Sequence, residues 1–223
     1  MFKIIQFNDC NNNKLQYFNS DKTMNKFDWY QLKNDPILES ENFEKTLIGY
    51  GSTNFLDLEK RSSWTHKLKF YLTMPEEVII FFEQNNISYE ENNDFSLLKY
   101  ETGDFFFNHH DTKLPDCTQS EATHEYTCLI FCPYGENNDI LEGGELIFKH
   151  PESLYEIKFD SSVETKKNNF VMIIFSIDMY HEVLPIISGT RWLFKKPLFV
   201  ERIFDFNYDN NSLPSHESYG DEG

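Results

Sequence analysis

In Tyr100-Glu-Thr-Gly-Asp-Phe-Phe-Phe-Asn-His-His-Asp111, a turn signal gives way to an aromatic run that ends in three side chains able to bind a metal. Side chains two positions apart in a strand share a face, so a strand here sends His109 and Asp111 to one side and His110 to the other. The same texture continues in both directions. Short aromatic and β-branched runs separated by turn residues cover Leu97 to Glu101, Phe105 to Asp111, Tyr126 to Cys132, Glu145 to Lys149, Phe170 to Ile177, His181 to Ile186 and Arg191 to Val200. So many strand-like runs within about a hundred residues predict a β-sandwich or jelly roll.

Two same-face ligands need a third from a distant strand. His181 follows the apolar run Phe170 to Ile177 after a short turn, where the mouth of a sandwich would lie. Two imidazoles and a carboxylate form the facial triad that leaves adjacent positions open on Fe(II), although zinc catalysis also accepts that ligand set. Arg191 tilts the choice. The chain has only the arginines Arg61, Arg191 and Arg202, and one of them stands ten residues beyond His181. Its planar fork suits a buried carboxylate better than lysine does. A 2-oxo acid that chelates iron at one end and carries a carboxylate at the other would satisfy both features. Gly189 and Thr190 permit the tight return from His181-Glu-Val-Leu-Pro185 into the strand that starts at Arg191.

These residues, taken together, resemble the prolyl 4-hydroxylase branch of the 2-oxoglutarate and Fe(II)-dependent dioxygenases over roughly residues 97 to 200. The matching features are Tyr100-x-x-Gly-Asp-Phe-Phe before His109-x-Asp111, then Gly143-Gly144-Glu145-Leu146, then His181-Glu-Val-Leu-Pro followed by Gly189-Thr190-Arg191. Each is weak alone, and their order and spacing make them strong. The resemblance implies a mainly β fold with flanking helices around a double-stranded β-helix (jelly-roll) core. It implies Fe(II), 2-oxoglutarate and O2 as reactants, with L-ascorbate keeping the iron reduced. It also implies that Arg191 binds the distal carboxylate of 2-oxoglutarate, and it puts Tyr100 and Thr127 where family members place hydroxyls that help hold the cosubstrate. Phe131 departs from the pattern, since many members carry a tyrosine there. The implied activity is hydroxylation of prolyl residues in a peptide or protein. The rivals are hydroxylation of another side chain or a small molecule, and a jelly-roll binding module without turnover.

Length and charge are compatible with this reading. At 223 residues the chain has room for one catalytic domain. A formal charge of −17 and a pI near 4.7 disfavour a nucleic-acid partner, because phosphate recognition needs clustered cations. The opening MFKIIQFNDC has no long apolar run and no small-residue cleavage site. No stretch of about 18 apolar residues is present to span a bilayer. The expectation is therefore a cytoplasmic protein with no membrane partner and with Cys10, Cys117, Cys128 and Cys132 as free thiols.

The organisation expected is a strand and helix region over 1–94 packed on the core, a catalytic core over 95–206 and an acidic mobile tail over 207–223. Within the first region Phe2 to Phe7 reads as a strand, and Pro75-Glu-Glu-Val-Ile-Ile-Phe-Phe-Glu as a helix with proline and acids at its N-terminal end. His66, His124, His150 and His216 have no partner at ligand spacing and are assigned to the surface. Gly143-Gly144 reads as a hairpin turn, and Thr112 to Thr123 as a candidate substrate-covering loop.

Overall fold

The structure, a computed structural model, describes residues 2–8, 16–18, 24–26, 32–50, 53–72, 74, 76–88, 94–111, 122–133, 141–149, 156–160 and 169–201. The tail, most of the Thr112 to Thr123 segment, Cys10, Cys117, His150 and His216 lie outside those residues.

We number the strands that build the core β1 (Phe2–Asn8), β2 (Phe43–Lys45), β3 (Trp64–Tyr71), β4 (Asp94–Tyr100), β5 (Phe106–His109) and β6 (Ala122–Phe131). They continue as β7 (Glu142–Gly143), β8 (Leu146–Lys149), β9 (Glu156–Phe159), β10 (Asn169–Ser176), β11 (Tyr180–Val183), β12 (Ile186–Ser188) and β13 (Arg191–Glu201). One helix, α1 (Glu76–Gln84), follows β3. No described helix is long and apolar enough to cross a membrane.

The fold is a jelly roll of antiparallel sheets. The major sheet runs β1-β10-β6-β13-β4-β3-β2 and the minor sheet β5-β11-β8-β9, while β7 pairs separately with β12. Each run expected from Leu97 onward is a strand, because period-two alternation lets one sequence supply two apolar faces. In β10, Phe170, Met172 and Ile174 join one core cluster, and Val171, Ile173 and Phe175 join another. The first cluster packs the outer side of the major sheet beneath α1, through Val78 and Phe82. The second fills the space between the two sheets, where Phe148, Phe159 and Val183 of the minor sheet meet Leu98, Phe131 and Leu193 of the major sheet. Burial on both faces explains why β10 reads as an unbroken apolar run.

The N-terminal strands complete this scaffold. Phe2 to Asn8 pairs with Phe175 to Asn169 along its whole length, and Trp64 to Tyr71 pairs with β4, so the major sheet continues across residue 94. Cys128 and Cys132 lie on one face of the β6 segment inside the outer cluster, where burial raises both thiols, that of Cys128 to about 12. They are neutral core residues.

Two surface expectations are corrected. His66 and His124 are 2% and 4% exposed. His66 sits on the inward face of β3, where its Nε2 donates to the Ile37 carbonyl at 2.7 Å and its ring meets Phe43 and Phe70 edge-on. His124 lies on the long central strand β6 against Phe199, and burial lowers its pKa. A histidine whose alternation places it inward is buried whether or not it binds a metal.

Phe194 anchors the outer cluster without touching the cavity between the sheets: it is fully buried, with edge contacts to Phe70 at 5.7 Å and Phe95 at 6.5 Å. Phe194→Ala should destabilise the protein by about 3–5 kcal/mol, the usual range for emptying a buried phenylalanine site. Urea denaturation of the two proteins measures it, and a loss below about 1 kcal/mol would mean the site collapses around the gap.

Candidate metal and carboxylate site

The minor sheet brings the two histidines together. His109 at the end of β5 is the register partner of His181 on β11, with ring centroids 4.1 Å apart. A register irregularity between Phe106 and His109 puts both of those side chains on the cavity side, where their rings stack at 3.5 Å. Asp111 lies just beyond the strand, and its backbone N–H donates to the Ile177 carbonyl at 3.1 Å. That bond ties the ligand segment to the end of β10, so Asp111 faces the major sheet. One ligand atom from each of His109, Asp111 and His181 can be chosen with all three within 4.8 Å of one another.

The hydrogen bonds orient the rings. His109 Nδ1 donates to the Phe107 carbonyl at 2.7 Å, and His181 Nδ1 donates to the Met179 carbonyl at 2.9 Å. Each Nε2 is thereby left as the lone-pair nitrogen, the arrangement that fixes a metal-binding tautomer. His109 Nε2 is buried and has no hydrogen-bond partner. Such an atom is costly unless something occupies its lone pair. The donor set therefore fits a divalent ion.

The charges agree. Burial, reinforced by the neighbouring His181, pushes the His109 pKa down to about 2, and burial likewise lowers His181. Burial alone would raise the Asp111 carboxyl, but Lys195, His181 and the Thr127 hydroxyl together outweigh it and hold the group well below the usual carboxylate range. At neutral pH the site thus holds two neutral imidazoles and a carboxylate, the protonation states a metal requires.

A pH dependence follows for the metal-free protein. A histidine whose folded pKa lies below its unfolded value of 6.5 leaves the unfolded chain binding more protons, so stability falls as pH drops below about 6.5. Asp111 acts in the same direction in a lower window: its depressed pKa contributes stability that is present above about pH 4 and is lost as pH falls below it. Between pH 7 and 5 the histidines decide, and His109 alone should cost about 2 kcal/mol. Urea midpoints at the two pH values measure this, and His109→Gln should flatten the slope. An unchanged slope in that variant would contradict the burial argument.

Arg191 opens β13 across from Tyr100, its register partner on β4. It is 3% exposed, with Tyr100's ring 4.6 Å and Phe131's ring 5.6 Å from the guanidinium carbon. Its Nη1 donates to the Gly144 carbonyl, while Nε and Nη2 are buried without partners. Burial lowers its pKa to about 10, so it remains a cation at neutral pH. Two orphaned donors on a buried planar cation fit one carboxylate.

Gly143 and Gly144 hold this corner, and they do so differently from the hairpin expected. They run beside β12 with φ of 75° and 71°; a Cβ would strike the Pro185 carbonyl oxygen at the first and the Ile186 side chain at the second. The Gly103 N–H donates to the Ile186 carbonyl at 2.8 Å and the Ile186 N–H to the Asp104 carbonyl at 3.0 Å. The Tyr100-x-x-Gly-Asp turn is thus stapled to the same corner as the glycine pair.

Thr127 donates its hydroxyl to Asp111 Oδ2 and is not placed beside Arg191 by any described contact. Lys195 was not singled out in the sequence, yet its Nζ is 2.9 Å from Asp111 Oδ1. The available signal was alternation, since Arg191, Leu193 and Lys195 share the inward face of β13. Arg61 also reaches the cavity, with its guanidinium 4.3 Å from the Phe106 ring and its Nε donating to Ser63 Oγ at 2.8 Å. The cavity between the sheets is partly open to solvent and runs from the histidines to Arg191.

Comparison with known proteins gives a family match at this core. The family model described as the 2OG-Fe(II) oxygenase superfamily matches residues 95–196. Among solved structures the chain is similar to a Pseudomonas putida prolyl-4-hydroxylase (14% identity, TM-score 0.43, covering 70% of this chain and 78% of that one). It is similar to a Trichoplax adhaerens prolyl hydroxylase in complex with a hypoxia inducible factor peptide (15%, 0.47, 73% and 72%). A third is the viral collagen prolyl hydroxylase of Paramecium Bursaria Chlorella virus-1 (15%, 0.37, 65% and 82%). No curated protein matches the chain.

Proposed function

We propose that this chain, whose residues 95–196 match the model of the 2OG-Fe(II) oxygenase superfamily, is a 2-oxoglutarate-dependent dioxygenase that hydroxylates prolyl residues of a peptide or protein, with iron held by His109, Asp111 and His181. The observation that carries the metal assignment is the buried, unpartnered Nε2 of His109, aimed away from a ring nitrogen already committed to the Phe107 carbonyl. The prolyl assignment is supported by the motifs Tyr100-x-x-Gly-Asp-Phe-Phe, His109-x-Asp111 and His181-Glu-Val-Leu-Pro in their order and spacing.

When bound, Fe(II) and 2-oxoglutarate supply an oxidative decarboxylation in which O2 puts one oxygen atom into the substrate's C–H bond and the other into succinate, with loss of CO2. L-ascorbate would keep the iron reduced. The protein's share is position and exclusion of water. Arg191, whose Nε and Nη2 have no partner, would hold the distal carboxylate, while Tyr100 supports that guanidinium with its ring and its hydroxyl would help hold the cosubstrate. Thr127 keeps the Asp111 carboxylate turned by donating to Oδ2. Phe175 and Leu193, 3% exposed or less, give the cavity apolar walls. No side chain needs to act as acid or base.

Mass spectrometry of a peptide library incubated with the protein, Fe(II) and 2-oxoglutarate tests the substrate. The expected result is gain of one oxygen atom on proline, dependent on 2-oxoglutarate. Oxygen gain confined to other side chains, or to small molecules offered in parallel, replaces the prolyl assignment. Absence of succinate under all conditions replaces the enzyme with a binding module.

A further inference from the structure

Lys195 has no part in the reading above, yet it occupies the metal end of the same cavity that Arg191 closes at the other. Both stand on the inward face of β13 with Leu193 between them, and at a rise of about 3.3 Å per residue their Cα atoms are about 13 Å apart. Long side chains at that separation can serve the two ends of one small extended ligand. The charge around the cavity is unusual for this chain. A protein of formal charge −17 lines the cavity, among the described residues, with Arg61, Arg191 and Lys195, against the single carboxylate of Asp111 at its edge.

The Lys195–Asp111 pair is satisfied only while the carboxylate is free of other cations. Asp111 already accepts from Thr127 on Oδ2, so Lys195 on Oδ1 completes its partners. A divalent ion drawing on that carboxylate leaves Lys195 beside a like charge with its own anion claimed. The repulsion is relieved by a second carboxylate entering next to the ion. Lys195's side chain is 28% exposed, so it has room to turn toward one.

We propose that Lys195 is a second anion-binding residue of the cosubstrate pocket, which gives up Asp111 for the metal-side carboxylate of the 2-oxo dicarboxylate when the site fills. This rests on the metal and cosubstrate reading given above. Arg191 and Lys195 together then select a ligand with carboxylates at both ends. A purely structural lysine, one that only holds Asp111 in place, makes a different prediction. Its loss would weaken metal and cosubstrate together, whereas loss of a charge that opposes the metal and attracts the dianion moves the two affinities in opposite directions.

The test uses the full chain and Co(II), which binds to such sites without turning over. Co(II) is titrated by its visible absorbance, and 2-oxoglutarate is then titrated calorimetrically into the loaded protein, for wild type, Lys195→Met and Lys195→Arg. Lys195→Met is expected to bind Co(II) about threefold or more tightly, because a nearby cation is removed. It is expected to bind 2-oxoglutarate about tenfold more weakly, the lower end for a lost charged hydrogen bond. Lys195→Arg, which keeps the charge, should stay close to wild type on both. As a further arm, 4-oxobutyrate keeps the distal carboxylate and lacks the one beside the oxo group, so its affinity should not change in Lys195→Met. An unchanged 2-oxoglutarate affinity in Lys195→Met, or a parallel loss of both affinities with wild-type Co(II) binding intact, overturns the role of Lys195 and leaves the metal site standing. Wild type that binds no Co(II) overturns the metal reading and this one with it.

Discussion

Asp111→Ala should abolish 2-oxoglutarate-dependent succinate formation while leaving the protein folded. The substitution removes an anionic ligand and almost no core volume, because Asp111 sits at the edge of the cavity, beyond the end of β5. Replacing a mere outer-shell partner of a metal site costs 10–100-fold in affinity or activity, so losing the carboxylate itself should weaken Co(II) binding by more than about a hundredfold. Two groups lose a partner in the variant. Lys195 can turn to solvent, but the Thr127 hydroxyl is fully buried, and stranding it should cost about 1–3 kcal/mol. The measurements are succinate release, Co(II) titration and the urea midpoint. Succinate formation comparable to wild type would remove Asp111 from the metal site, and a collapse of the fold would recast it as a structural ion-pair member with Lys195.

The catalytic half of the fold was legible because its strands carry their own period. The runs from Leu97, Phe105, Tyr126, Glu145, Phe170, His181 and Arg191 are strands to within a few residues, and α1 begins one residue after the proline that announced it. What escaped was short or lacked alternation. Glu156–Phe159 is an edge strand of the minor sheet whose four residues are too few to display a period. Trp64–Tyr71 mixes lysines with aromatics, because β3 covers the rim of the major sheet and only alternate residues reach the core.

The site was legible to the extent that it follows the same period. His109 and Asp111 were paired by alternation and His181 by its place after an apolar run, and the structure brings one ligand atom from each within 4.8 Å of the others. Thr127 shows where reasoning by position stops. Alternation puts it on the same strand face as Leu129 and Phe131, which line the cavity, but its hydroxyl meets Asp111. That choice depends on the Asp111–Ile177 backbone bond, which joins segments 66 residues apart and leaves no local trace. His66 and His124 illustrate the reverse error, in which absence of a metal partner was taken to mean exposure. Their burial follows from inward positions on β3 and β6, and His66 satisfies its ring nitrogen with a backbone carbonyl.

Replacement of Arg191 should separate cosubstrate binding from metal binding. Nε and Nη2 are the two unpartnered donors of a guanidinium buried between the Tyr100 and Phe131 rings, and Nη1 is spent on the Gly144 carbonyl. A carboxylate reaching the free pair gains two parallel charged hydrogen bonds, a geometry that lysine's point charge cannot reproduce. Phe131 contributes no hydroxyl here, so the donors left to the distal carboxylate are those of Arg191 and Tyr100, which raises the share carried by the arginine. Arg191→Lys should therefore raise the 2-oxoglutarate requirement by roughly tenfold and Arg191→Ala by about a hundredfold, the span that 1.5–3 kcal/mol of charged hydrogen bonding covers. Co(II) affinity should change far less in either variant, because Arg191 makes no contact with His109, Asp111 or His181 among its described interactions. The 2-oxoglutarate dependence of succinate release for wild type, Arg191→Lys and Arg191→Ala gives the answer. Three coincident curves would make Arg191 a packing residue of the Gly144 corner, and the orphaned nitrogens would then need another anion to explain them.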